Sequence, residues 1–324
     1  MRRRVLLAYA SAGAALGIAS RAHAQGWPSR PLRMVLTAPP GSSIDFLGRL
    51  VGDMLKERLG QPVVPENRAQ AGGTLGTELI AHAEKDGYTF GLSFTAPLAT
   101  APYLYSRLAY DPARDLAPIV LVGSAPNILA VPATLPVNSF KEFIEYARAR
   151  PGQLNYASVG NGSTSHLAME LLKTQGRIFL AHIPYNGAPP AVQAIAAGEV
   201  QAIMSNPTSL LPLITARRVK PLAVTSRTRW SHMKELPTIA ESGFAGFEAV
   251  AWNGFVAPSG IPAGLIERLN REINAILANP EVRPRIEGAG WDVVGGSPQQ
   301  FADFMAAERA RWRPVIASSG ARLD

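Results

Sequence analysis

The chain has 324 residues, 47% of them apolar and 17% charged, with no cysteine. That is enough apolar chain for one large domain or two ordinary ones, and it excludes wholesale disorder, disulfides, thiolate metal sites and cysteine nucleophiles. The formal charge of +8 sits partly at the start: without the four arginines of the first 24 residues, 28 basic residues face 24 acidic ones, with no basic stripe of the kind nucleic-acid binders carry.

Arg2-Arg3-Arg4, then VLLAYASAGAALGIAS, then Ala22-His23-Ala24 before Gln25 follow the order of an export signal cleaved near Ala24. The run is short and rich in Ala and Gly for a membrane anchor. Its tandem arginines suit a twin-arginine signal or a general secretory one. No later apolar run is long enough to span a bilayer.

From Leu32 the pattern alternates. LRMVLTA reads as a buried strand, and Ile44, Leu47, Val51, Met54 and Leu55 recur at helical spacing up to Gly60. PVVPEN is a second strand, AGGTLGTELIAHAEKDG a glycine-led helix and YTFGLSF a third strand. Ser139 caps a helix that stops before Pro151-Gly152. Then LNYASVG, AHIPY, QAIMSN and KPLAVTS read as strands, separated by three helical stretches. A loop-rich piece covers 228–262, and two helices close the chain. The alternation predicts α/β architecture with parallel sheets and covering helices. Proline-rich stretches near 97–118 and 228–262 break the rhythm that a (β/α)8 barrel needs.

Four strand-to-helix loops share one chemistry: PPGSSID (39–45), RAQAGGTLG (68–76), SVGNGSTSH (158–166) and YNGAPPA (185–191). Small residues let an anion approach the unpaired N–H groups of a helix N-terminus, and hydroxyls add donors. In any single loop the same residues serve as caps and turn formers; four loops of one style point to an anion site. Asp45 either meets a ligand amino group or holds its own loop. Trp252, in AVAWNGFVAPSG, suits a core or a pocket wall.

Enzyme signatures are missing. The chain has no G-x-S-x-G elbow, P-loop or H-E-x-x-H, and its histidines lack metal-ligand spacing. A Ser163–His166 pair is the one conceivable nucleophile and base, and a core or surface histidine explains His166 as well.

The loops, together with WPSRPLRMVLTAPPGSSIDFLGRLVGDMLKERLGQPVVPENRAQAGGTLGTELIAHAEKDGYTF, LYSRLAYDPARDLAPIVLVGSAPNILAV, PLAVTSRTRWSHMKELPTIAESGF and WNGFVAPSGIP, carry a resemblance over nearly all of 27–322. The chain resembles the solute receptors of tripartite tricarboxylate transporters, the Bug-type periplasmic binding proteins. The resemblance implies a type II periplasmic-binding-protein fold, two α/β domains joined by a hinge with two chain crossings. Domain 1 would combine 25–122 and 222–324, and domain 2 would be 123–221, with 1–24 as the signal. The crossings would fall near LVGSAPN and KPLAVTS.

It also implies a receptor rather than an enzyme, without catalytic residues, metal or cofactor. A small organic carboxylate would be held by Pro40, Gly41, Ser42, Ser43 and Asp45, and from the facing domain by Ser158, Gly160, Gly162, Ser163 and Thr164. Thr95, Ala96, Tyr185 and Asn186 would line the rest. The partners would be membrane permease subunits of a tripartite tricarboxylate transporter, served by a periplasmic monomer that binds no nucleic acid. A sensor module that carries its ligand to a signalling kinase is the alternative. Two departures stand out. Gly41-Ser42-Ser43 replaces a common glycine run, and Ser205 stands before Asn206 where an Asp is frequent. The loss of that acid predicts a ligand without an amino group.

Overall fold

The computed structural model describes residues 26–319 and 322–323. The expected export signal at 1–24 lies outside them. In chain order the strands are β1 (Leu32–Leu36), β2 (Val63–Asn67), β3 (Thr89–Phe94), β4 (Leu116–Pro126), β5 (Ile128–Pro132), β6 (Leu154–Ser158), β7 (Leu180–Pro184), β8 (Ala202–Ser205), β9 (Val219–Val224), β10 (Val250–Pro258) and β11 (Asp292–Gly295). They form a six-stranded sheet, β11-β4-β10-β3-β1-β2, and a five-stranded sheet, β7-β6-β8-β5-β9. This is the α/β two-domain fold that the resemblance implies.

The sheets are mixed rather than parallel throughout. β1 pairs parallel with β2 and β3, and β6 with β7 and β8. β10 runs antiparallel to β3 and β4, and β5 antiparallel to β8 and β9. These antiparallel strands stand where the chain changes sheet: β5 enters the second sheet straight from β4, with only Asn127 between them, and β10 returns to the first sheet after β9.

Helices cover the sheets through apolar faces. In Ser43–Leu59, Leu47, Leu50, Val51 and Leu55 are buried. A Cβ on Gly48 would stand 2.3 Å from Leu36 Cδ2, so the missing side chain lets this helix lie close on β1. β4, β5, β11 and the short helix Arg283–Gly288 are not among the elements read from the sequence. β4 and β5 follow one another with only Asn127 between them and no helix to mark them off, and β11 is a brief sheet edge with exposed residues.

A buried knot ties the two places where the chain changes sheet. Asn127 N–H donates to Thr225 Oγ1 at 2.8 Å, and that hydroxyl donates to Ala249 O at 2.6 Å. Asn127 Nδ2 reaches the same carbonyl at 3.1 Å. Thr225→Val keeps the shape but strips partners from the Asn127 amide and weakens the bonding of Ala249. A loss of about 1–3 kcal/mol is expected in urea denaturation at neutral pH. An unchanged midpoint would show that the knot does not hold the crossings.

Candidate functional site

Two loops, one from each sheet, share a plan. Gly41-Ser42-Ser43-Ile44-Asp45 opens the helix Ser43–Leu59, and Gly162-Ser163-Thr164-Ser165-His166 opens the helix Thr164–Gly176. Each N-cap serine has extended backbone, φ −82° at Ser42 and −65° at Ser163. Ser42 Oγ accepts from Asp45 N–H at 3.3 Å and donates to Pro39 O at 2.7 Å. Ser163 Oγ accepts from His166 N–H at 3.2 Å and donates to Gly160 O at 2.6 Å.

The third helical residue then reaches back. Asp45 Oδ2 accepts from Gly41 N–H at 3.0 Å, and His166 Nδ1 accepts from Gly162 N–H at 3.1 Å. This is a capping box displaced by one residue. It leaves the first amides of each helix, at Ser43, Ile44, Thr164 and Ser165, without an intrahelical acceptor. The two N-cap hydroxyl protons are committed inside the loops. These serines therefore present a helix end rather than a hydroxyl donor.

Both helix ends border one cavity, about 730 Å³ when the open solvent at its mouth is counted with it. All four loops singled out in the sequence contribute to its wall. Of the expected site residues, Ser42, Ser43, Thr95, Gly160, Ser163, Thr164, Tyr185 and Asn186 line it. Pro40, Gly41, Asp45, Ala96, Ser158 and Gly162 are not on the wall. Asp45 is a clamp: besides Gly41 N–H, it accepts from Arg49 Nε at 2.8 Å and Asn67 Nδ2 at 3.0 Å. Ser158 Oγ lies 2.6 Å from His182 Nε2.

Thr37, Asn127, Asn253 and Trp291 line the cavity without having been singled out. The one available signal was Asn253, a polar residue inside an apolar strand. Trp252 satisfies both of its readings. It is fully buried, lines the cavity, and donates Nε1–H to Glu308 Oε2 at 2.9 Å.

Among the described residues, no Lys, Arg, His, Asp or Glu lines the cavity. An anion there would meet amides, hydroxyls and helix dipoles alone. Three buried wall atoms, Thr95 Oγ1, Ser205 Oγ and Asn253 Nδ2, have no protein partner. The two sheets' units touch on both flanks. Thr100 Oγ1 donates to Gly162 O at 2.7 Å on one side, and Trp291 Nε1 to Thr208 Oγ1 at 2.7 Å on the other. No group of three or more His, Asp or Glu among the described residues is placed to hold a metal ion.

Behind the Gly160–Thr164 loop lies a neutral aromatic stack. His166 and His182 rings are 4.1 Å apart and near parallel, and Tyr156 stacks on His182 at 4.8 Å. Burial pushes His166 down to about 4 and His182 to about 3; Glu170 opposes the shift at both, while Lys173 and, at His182, the neighbouring His166 add to it. The Ser163–His166 pair is not assembled for catalysis, because Ser163 Oγ meets the backbone amide of His166 and the ring accepts from Gly162.

Below the ordinary histidine value of 6.5 the unfolded chain binds protons that the folded stack refuses. Stability is therefore unaffected by these groups above pH 6.5 and falls as pH drops toward 4. For buried His166 alone the loss between pH 6.5 and 4.5 is about 2–3 kcal/mol. Denaturant titrations at both pH values check this, and His166→Gln should flatten the slope. An equal slope in the variant would remove the stack as its cause.

Comparison with known proteins follows the same geometry. The family described as tripartite tricarboxylate transporter family receptor matches residues 47–321. Protein BugT of Bordetella pertussis is 37% identical over 96% of this chain and 95% of its own. The structure of R. palustris Rpa4515 with adipate is 36% identical, with a TM-score of 0.89 over 92% of this chain and 100% of that one. MatC from Rhodopseudomonas palustris with bound malate is 30% identical, with a TM-score of 0.85 over 90% of this chain and 100% of that one. On this match, this shared fold and these paired helix ends, the chain belongs to the tripartite tricarboxylate transporter receptor family, of the Bug type.

Proposed function

We propose that this chain is a periplasmic solute receptor. It captures a small organic carboxylate by closing two domains on it and delivers it, as a monomer, to the permease subunits of a tripartite tricarboxylate transporter. The observation that carries the reading is the cavity without ionised side chains, bordered by one capped helix end from each sheet. A hydrogen bond to a charged group contributes about 1.5–3 kcal/mol. The first-turn amides of the three wall residues Ser43, Ile44 and Thr164 then supply on the order of the 8 kcal/mol that micromolar capture needs. That two similar receptors are solved with adipate and with malate supports a small carboxylate here.

A ligand that contacts both units favours the state in which both contacts exist. The moving units are the six-stranded sheet, built from β1–β4, β10 and β11, against the five-stranded sheet, β5–β9; the knot at Asn127 and Thr225 is the hinge, a few residues beyond the expected bounds at 122/123 and 221/222. The flank contacts at Thr100–Gly162 and Trp291–Thr208 form on closure. No helix among the described residues is long and apolar enough to cross a membrane, which suits a receptor that meets its transporter from outside the bilayer.

Thermal unfolding of the protein from Gln25 onward, against a panel of small acids, tests capture. A ligand at 100 times its Kd adds about 2.7 kcal/mol, which raises Tm by a few degrees. Ser42→Asp with Ser163→Asp tests the place. Aspartate caps a helix as well as serine does, but it sets a negative charge at each helix end. Repulsion at about 4 Å should weaken acid binding roughly 100-fold or more. Unchanged affinity would put the carboxylate elsewhere.

A further inference from the structure

Asparagine is a thermolabile residue, and a glycine after it has no Cβ to hinder attack by its amide nitrogen. The chain has three such pairs, at Asn161, Asn186 and Asn253. In the reaction the glycine nitrogen bonds to the asparagine Cγ. The Cγ–Nδ2 bond breaks, the glycine N–H proton leaves with Nδ2 as ammonia, and a five-membered imide remains. Water then opens the imide at one carbonyl or the other, giving aspartate or isoaspartate. Water is the only co-reactant, and either product carries a carboxylate where a neutral amide stood.

The three pairs stand in very different settings. Asn253 is 2% exposed in β10, and Gly254 is in register with Ser93 on one side and Leu121 on the other. Asn161 is half-buried, and Gly162 is held at both ends. Its N–H donates to His166 Nδ1 at 3.1 Å, and its carbonyl accepts from Thr100 Oγ1 at 2.7 Å. Sheet pairing in one case and the helix cap in the other keep the glycine from turning onto the side chain before it.

Asn186 is held by neither. It is exposed on the bend between β7 and the helix Ala188–Ala197. Gly187 N–H bonds within that bend, to Tyr185 O at 2.9 Å, two residues back. The contact of Gly187 with the facing unit, at Pro39, is a lip contact that opening of the cleft releases. Opening a short exposed loop costs far less free energy than opening a strand paired on both sides or a buried cap.

We propose that Asn186 is a site of spontaneous deamidation, at which the native chain converts to aspartate and isoaspartate while Asn161 and Asn253 are kept intact by the fold. Asn186 lines a cavity with no ionised side chain among its described lining residues. The product is therefore a fixed negative charge on a wall that had none, and it meets any acid with its own sign. Isoaspartate also adds one carbon to the main chain beside Gly187, at the lip that touches Pro39. The weakening of capture rests on the receptor reading; the modification itself does not.

The native protein is aged in mildly alkaline buffer beside a sample unfolded in guanidinium chloride, and both are digested and mapped by mass spectrometry over time. In the native sample the Asn186 peptide should gain one dalton and split into two forms, at a rate within about tenfold of the unfolded one. The Asn161 and Asn253 peptides should convert in the unfolded sample and about 100-fold more slowly in the native one. Asn186→Gln should remove the acidic form of the aged native protein, because its ring would need a sixth member. Protection of Asn186 equal to that of Asn161 and Asn253 would overturn the proposal, and so would faster conversion at either of those two.

Calorimetric titration with adipate and malate reads the consequence. Asn186→Asp should bind roughly tenfold more weakly than the unaged protein, with the gap narrowing as salt is added. A gap that salt leaves unchanged would overturn charge as its cause. Failure of the unaged protein to bind either acid would overturn the binding consequence together with the receptor reading, and the mass measurement would still decide the modification.

Discussion

A cavity proposed to take an anion without offering a cation has to be held still, and much of the structure around it meets that constraint. Backbone N–H groups at a helix end carry only partial charge, so they work when several point at one place and do not reorient. Both loops meet this need with the same device. A serine closes the first turn, and the third helical residue pulls back the glycine before it. Ionisable groups are present but stand one layer behind the wall. Asp45 is saturated by Gly41, Arg49 and Asn67, and His166 is kept neutral in its stack. They fix the amides without offering their own charge to a ligand.

The same layering holds the apolar wall. Trp252 shapes the cavity with its ring, while its Nε1–H goes outward to Glu308. Glu308 Oε2 also accepts from Trp312 Nε1 at 3.1 Å, and Oε1 lies 3.4 Å from Arg311 Nη1. A carboxylate 5% exposed would be costly alone; here two indole donors and a guanidinium satisfy it. The last helix thereby fixes a wall formed more than fifty residues earlier.

Local features of this architecture were legible in the sequence, and register was not. The four small-residue loops, the helix faces and most strands follow from spacing and from the chemistry of Gly, Ser and Pro, which act within a few residues. The domain pattern came from resemblance rather than periodicity. The antiparallel placing of β5 and β10 depends on which sheet the chain enters next, which no local pattern records. Asn127 joins the cavity because it bonds to Thr225 and Ala249, about a hundred residues away. Trp291 joins it through Thr208, 83 residues away. Asp45 shows the limit from the other side. The residue was visible and its two roles were both chemically sound, and only the positions of Gly41, Arg49 and Asn67 decide between them.

The lips of the cavity fit the proposed dependence of closure on a ligand. A Cβ on Gly187 would lie 2.4 Å from Pro39 Cγ, and one on Gly162 would lie 2.3 Å from Leu104 Cδ1. Both glycines also have positive φ, +94° and +73°, which other residues rarely adopt. Contact between the lips is therefore close but made of small surfaces, with the hydrogen bonds at Thr100 and Trp291 on its flanks. A typical bond of that kind contributes about 1 kcal/mol net. Moving a two-state equilibrium from 1:99 to 99:1 takes about 5.5 kcal/mol. The two flanking bonds fall short of that. On the proposed reading, a ligand that satisfies amides on both sides of the cleft would supply the difference, making the closed state depend on a filled cavity.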